Sequence, residues 1–140
     1  MIAYVDSSVV LRIVLGQPDP LPEWSRLERA ISSELLRVEC LRTIDRLRIR
    51  AGLDDRTVAD RRGALLETIE AIDLVALDAS ILSRAAEPFP TLVRTLDALH
   101  LASALAIREE LPSLVFFTHD VTLGLAAAAT GFDVWGLGSG

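Results

Sequence analysis

Ile2-Ala3-Tyr4-Val5-Asp6-Ser7-Ser8 is the stretch that decides the fold. Four apolar, β-prone residues make a short buried strand, and an acid stands where that strand ends. Val9-Val10-Leu11 with Ile13-Val14 then carries helical spacing, so the order is strand, acid, helix. Continuous apolar strands that alternate with helices belong to parallel sheets buried on both faces.

The same unit returns further along. Leu114-Val115-Phe116-Phe117 is the clearest strand after the first; Thr118-His119-Asp120 ends it, and 121–129 is helical. Leu74-Val75-Ala76-Leu77 is another strand-like run, with Asp78 placed to cap a helix over 79–86. Gln17 to Pro22, with prolines at 18, 20 and 22, reads as a loop, and residues 23–30 as a short helix leading into Ile31-Ser32-Ser33. From Glu34 to Arg50, Leu36, Cys40, Ile44 and Leu47 fall at helical spacing. Gly52 ends that helix, and Asp54-Asp55 starts another running to about Ala71. Pro88-Phe89-Pro90 is a loop, Thr95 precedes a helix from Leu96 to Glu110, and Phe132 to Trp135 is a last short strand. Residues 136–140 read as a flexible tail. The expected class is α/β: one domain over 1–140, with a short central parallel sheet and helices on both faces.

Composition narrows the function. The chain has 140 residues, of which 51% are hydrophobic, enough for a real core. One cysteine, Cys40, allows no intrachain disulfide and suits a reducing, cytosolic compartment. The N-terminus lacks the basic stretch of a signal peptide, and no apolar run is long enough to span a bilayer. The formal charge of −6 argues against a binder that relies on a basic surface alone, but agrees with an acidic site loaded with divalent cations. All 14 basic residues are arginines, which removes every mechanism that needs a lysine.

In open α/β sheets, ligands bind beyond the carboxyl ends of the strands. Asp6, Asp78 and Asp120 all follow strands in this way, and each has the ordinary alternative of a helix cap. Asp97 sits in the first turn of its helix, where the dipole favours a carboxylate, yet at the border of the apolar face. Glu39 occupies a similar border; its ordinary alternative is a surface pair with Arg42 or Thr43. Carboxylates that converge need a compensating charge, and with no lysine the candidates are arginine or a hard divalent cation such as Mg²⁺ or Mn²⁺.

Four segments in order, Tyr4-Val5-Asp6-Ser7-Ser8, Ser33-Glu34-Leu35-Leu36-Arg37-Val38-Glu39, Leu96-Asp97-Ala98-Leu99-His100-Leu101-Ala102 and Phe117-Thr118-His119-Asp120, resemble the PIN-domain family and most of all its VapC toxins. The resemblance runs from residue 2 to about residue 136, and Asp97-Ala98-Leu99-His100-Leu101-Ala102 is its most specific piece. It implies a three-layer α/β/α sandwich and a Mg²⁺- or Mn²⁺-dependent endoribonuclease that acts as the toxin of a toxin–antitoxin pair. Carried over residue by residue, it implies Asp6, Glu39, Asp97 and Asp120 as catalytic, metal-binding acids, with Glu34 the fallback for Glu39. It returns Asp78 to the cap reading, and it gives Ser7 and Thr118 hydroxyls that orient carboxylates or metal-bound water. His100 and His119 read as structural or surface residues, with His100 on a different side of its helix from Asp97. Half of the arginines lie between positions 42 and 62 among interspersed aspartates, which reads as a solvated, salt-bridged helical pair. Arg12 lies within reach of a phosphate. The implied partners are an RNA substrate, a VapB-like antitoxin and a second copy of the chain, with no membrane, and Trp24 and Trp135 are candidates for an interface.

Other readings fare worse. A haloacid-dehalogenase-like phosphatase wants a second Asp where Ser8 stands, and, like a receiver domain, it wants a lysine. No glycine-rich loop follows the first strand, so a nucleotide cradle is unsupported. A flap-specific DNA nuclease of related fold would be longer and carry more acids. The alternative that remains is a non-catalytic PIN-like module that binds RNA or a partner.

Overall fold

The computed structural model describes residues 1–138. Its strands are β1 (Ile2–Val5), β2 (Arg29–Ser33), β3 (Ile72–Val75), β4 (Val115–Phe117) and β5 (Val134–Trp135). Its α-helices are α1 (Ser7–Val14), α2 (Leu35–Arg50), α3 (Asp55–Glu70), α4 (Ala79–Ala85), α5 (Thr95–Glu110) and α6 (Val121–Ala129). The sheet is wholly parallel in the order β3-β2-β1-β4-β5, so β1 is central. From β1 the chain first winds outward to β2 and β3, and then returns to add β4 and β5 on the other side. This reversal opens the carboxyl edge of the sheet between the ends of β1 and β4.

Strand alternation divides the core into two layers. Ala3, Val5 and Phe117 pack with Val9 and Val10 of α1, Leu36, Cys40 and Ile44 of α2, and Leu65 of α3. Tyr4, Ile31 and Phe116 face the other way and pack with Leu101 and Ala104 of α5, Leu123 and Ala127 of α6, and Phe132. Helix α4 lies against α5. Helices therefore cover both faces, and the three-layer α/β/α sandwich expected from the sequence is the observed fold.

Three expectations about elements are corrected. Residues 23–30 are not a helix: a single 3₁₀ turn spans Pro22–Arg26, and Arg29–Ser33 is strand β2. Its serines are buried because their hydroxyls are used, Ser32 Oγ donating to the Val5 carbonyl (2.6 Å) and Ser33 Oγ accepting from Leu35 N (3.0 Å). Strand β3 begins at Ile72 rather than Leu74, because Asp73 points outward and pairs with Arg29 of β2 (2.5 Å). The last strand is confined to Val134–Trp135. Within the segment read as a tail, Gly136 and Leu137 are docked. The Gly136 carbonyl accepts from His119 Nδ1 (2.7 Å), and Leu137 lies over Gly124 of α6. Residues 139–140 of that segment lie outside the described residues. Among the described residues, no helix is long and apolar enough to cross a membrane.

Candidate active site

Asp6 is the first residue beyond β1 and caps α1, and only 3% of its surface is exposed. An acid this deep needs donors, and three supply it. Ser8 Oγ donates to Oδ1 (2.6 Å), Thr118 Oγ1 donates to Oδ2 (2.7 Å), and the Val9 amide donates to Oδ1 at a longer 3.4 Å. Burial pushes the Asp6 carboxyl up from its usual range, while the Ser8 and Thr118 hydroxyls, His100 and the Val9 amide pull it back. Thr118, itself fully buried, also accepts from Asp120 N (3.0 Å), and Ser8 Oγ accepts from His119 N (2.9 Å). These bonds clamp the end of β1 to the end of β4. The hydroxyl on Asp6 is thus that of Ser8 rather than the expected Ser7, whose side chain instead faces a groove beside Glu39. Thr118 has the expected role of orienting a carboxylate.

Glu39 is one turn into α2 and partly buried. Its Oε1 lies 2.5 Å from His100 Nε2, and the other ring nitrogen, Nδ1, lies 2.6 Å from the Tyr4 hydroxyl. A carboxylate only accepts, so Nε2 carries the hydrogen; in the neutral ring Nδ1 is then bare and accepts from the Tyr4 O–H. His100 is 2% exposed, and burial holds the Tyr4 phenol protonated by pushing its pKa up. The ordinary alternative, a pairing of the Glu39 carboxylate with Arg42 or Thr43, is absent among the described residues: Arg42 pairs with Asp45 (2.9 Å), and Thr43 Oγ1 donates to the Glu39 backbone carbonyl (2.8 Å). Glu34 is exposed at the start of α2 and makes no side-chain cap bond.

Asp97 lies half-buried in the first turn of α5. Burial raises its carboxyl, as does the negative charge of Asp120 and, by smaller amounts, of Asp6 and Glu39, while His100 opposes them. His100 does not lie on another side of α5 from Asp97: positions three apart are neighbours on a helix, and His100 meets the same acids. Asp120 caps α6 through a bond from Leu123 N (3.2 Å) and is otherwise exposed. Asp78 caps α4 through a bond from Ile81 N (2.9 Å), at the end of an outer strand.

Four carboxylates carried by four different helices or their caps thus share one electrostatic neighbourhood, and among the described residues no arginine pairs with any of them. They do not form a ready cage: no three His, Cys, Asp or Glu side chains among the described residues are grouped closely enough to hold an ion. Of the arginines at 42–62, only Arg42 makes an ion pair among the described residues, so the expected salt-bridged pair of helices is mostly unpaired. Arg42 and Arg46 line the groove that contains Ser7 and Glu39. Trp24 packs against the core, and Trp135 is 40% exposed.

Comparison with known proteins agrees with this architecture. The PIN domain model matches residues 3–123. Ribonuclease VapC46 of Mycobacterium tuberculosis is 31% identical over 134 residues, covering 94% of both chains. Ribonuclease VapC47 of the same species is 30% identical over 128 residues, covering 86% of this chain and 88% of its own. Among solved structures, VapBC2 from Rickettsia felis, bound to a DNA fragment from its promoter, superposes with a TM-score of 0.68. The match is 11% identical and covers 96% of this chain and 99% of that one. VapBC-5 from M. tuberculosis gives a TM-score of 0.57 at 19% identity, with 95% and 94% covered. With its fold, the order of its acids and its relatives in agreement, the chain belongs to the PIN-domain family and is VapC-like.

Proposed function

We propose that this chain is a Mg²⁺- or Mn²⁺-dependent endoribonuclease, the toxin of a toxin–antitoxin pair, which acts in the cytoplasm. The observation that carries the reading is the arrangement at the carboxyl edge of the sheet: Asp6 is buried there and fixed by Ser8 and Thr118, close to Asp97, whose carboxyl is raised first by burial and then by Asp120, Asp6 and Glu39. Like charges gathered with no paired arginine among the described residues repel one another, and an oxygen-only donor set suits a hard divalent cation. Asp6, Asp97, Glu39 and Asp120 would hold the ion. When bound, it supplies activation of water for attack at phosphorus and neutralisation of charge on the leaving oxygen.

The chain's own residues prepare that chemistry. Ser8 and Thr118 each donate to one oxygen of Asp6, which fixes the carboxylate at the end of β1 and leaves acceptor capacity on both oxygens. His100 fixes Glu39 through Nε2 and is itself oriented by the buried Tyr4 hydroxyl. Arg42 and Arg46 offer guanidinium groups to the RNA backbone beside Glu39. Leu82, Leu92 and Leu96 are exposed, Leu92 at 94%, and this apolar surface supports a protein partner of the VapB kind. A homodimer is carried over by analogy.

The test is incubation of antitoxin-free protein with total cellular RNA and Mg²⁺ or Mn²⁺, beside EDTA and an Asp97→Asn variant. Cleavage lost in both controls is the expected result. Cleavage that survives Asp97→Asn refutes the site, and absence of cleavage from folded protein across varied RNAs leaves a binding-only module.

A further inference from the structure

A second recess lies beside the acids and has no part in the chemistry above. Its volume is about 350 Å³, and its wall includes Arg12, Asp19, Glu23, His119, Trp135 and Gly136. That volume falls in the range of small-ligand pockets. Trp135 is in the edge strand β5 with 40% of its surface open. Gly136 has φ +109°, and a Cβ there would stand 2.4 Å from the Thr118 carbonyl oxygen, so a glycine lets the segment after Trp135 approach the acid edge. His119 Nδ1 donates to the Gly136 carbonyl (2.7 Å), and the His119 amide donates to Ser8 Oγ, which donates to Asp6. The recess wall and the candidate metal-binding acid are therefore joined by two consecutive hydrogen bonds. Also in the lining, Arg12 donates to the Asp19 carbonyl (3.3 Å). Asp19, at φ +56°, is the one non-glycine residue with positive φ among the described residues.

The chemistry of the wall selects the occupant. An exposed indole face stacks a planar ring. The Asp19 and Glu23 carboxylates repel a backbone phosphate and accept from N–H groups, while the Arg12 guanidinium opposes entry of another cation, such as a basic side chain. A neutral planar ring with N–H groups on its edge meets all three conditions, and unpaired RNA bases are such rings. We infer that this recess is a nucleobase subsite, in which an unpaired base next to the scissile phosphodiester stacks on Trp135 and offers its edge to Glu23 and Asp19. The inference rests on the ribonuclease reading for its substrate and adds to it a determinant of where the RNA is cut.

The test is fluorescence anisotropy of a dye-labelled single-stranded RNA decamer in EDTA, where nothing turns over. Mapping of cleavage positions with Mn²⁺ runs in parallel. Trp135→Ala is expected to weaken binding about ten- to hundredfold, Trp135→Phe to keep most of it, and Trp24→Phe to change nothing. Glu23→Gln, an isosteric change at a part-buried side chain, is expected to shift the mapped positions. Wild-type cleavage with unchanged affinity and positions in both Trp135→Ala and Glu23→Gln overturns the subsite and leaves the nuclease standing. RNA binding that depends on Trp135 without metal-dependent cleavage supports the subsite and refutes the nuclease. Loss of affinity for a purified antitoxin, with RNA binding intact, assigns the recess to a protein partner and overturns the inference.

Discussion

Thr118→Val removes one hydroxyl while keeping shape and volume, so it isolates the clamp between β1 and β4. Thr118 Oγ1 donates to the buried carboxylate of Asp6 at 2.7 Å and accepts from Asp120 N at 3.0 Å. A hydrogen bond to a charged group contributes about 1.5–3 kcal/mol, and a neutral one about 0.5–1.5 kcal/mol. Asp6 keeps Ser8 and Val9 as donors, and Asp120 N is near solvent, so the expected net loss is about 2–4 kcal/mol at pH 8. For a domain of this size, that is a fall in melting temperature of roughly 5–15 °C. The loss also depends on pH, with a definite sign. Thr118 stabilises the ionised form of Asp6, so its contribution is full where Asp6 is charged and shrinks as Asp6 takes up its proton. Because burial raises Asp6, that shrinkage starts at higher pH than for an ordinary aspartate. Urea unfolding of the metal-free protein, followed by tryptophan fluorescence at stepwise lower pH, measures both quantities, with Thr118→Ser as the conservative control. A loss under about 0.5 kcal/mol at pH 8, or one that grows on acidification, refutes the clamp.

Further outcomes are expected. Asp97→Asn relieves the burial of a charge and then its repulsion by Asp120, so the metal-free variant should melt above wild type in calorimetry, by a margin that solvent screening at this half-exposed position keeps small. Mn²⁺ should raise the melting temperature of wild type more than that of the variant, and a chelator should reverse the rise. The Cys40 thiol is pushed from 9.0 up to about 12, first by burial and then by Glu39 and Asp6. Between those pH values the folded chain holds a proton that the unfolded chain releases, so stability falls as pH rises through that window, and a Cys40→Ala variant should show a shallower fall in denaturant titrations. Tyr4→Phe leaves His100 Nδ1 without its donor and should cost about 1–3 kcal/mol in urea unfolding, along with a displaced His100 ring resonance in NMR. Gly136→Ala forces a Cβ toward the Thr118 carbonyl and should destabilise by more than about 1 kcal/mol, measured by thermal melts.

The elements with a single strong pattern could be read directly. Ile2–Val5 and Val115–Phe117 are apolar without interruption, and the stripe Leu36, Cys40, Ile44 is buried as spaced. Strand β2 escaped because burial there depends on serine hydroxyls bonding to neighbouring strands and turns, which hydropathy does not register. Strand β3 was displaced because the outward Asp73 is matched by Arg29 from another strand, a pairing visible only in three dimensions. At the site, capping leaves the ligand reading open: Asp6 and Asp120 cap their helices, and the charge of both also bears on Asp97. The role of Ser8 could not be told from that of Ser7, since both follow Asp6, and only the turn into α1 decides which hydroxyl returns to it. The Tyr4–His100–Glu39 relay joins three segments far apart in sequence, and no local pattern announces it.

The clamp also has a consequence in time. Asp6 and Thr118 are 112 residues apart, yet neither end of the cleft is set until they bond. At about 5–20 residues per second, a ribosome needs roughly 6–22 s to pass from one to the other. Throughout that interval the nascent chain carries its first acid with the opposing strand still unmade. The carboxyl edge of the sheet is therefore completed late, when β4 slots in beside β1.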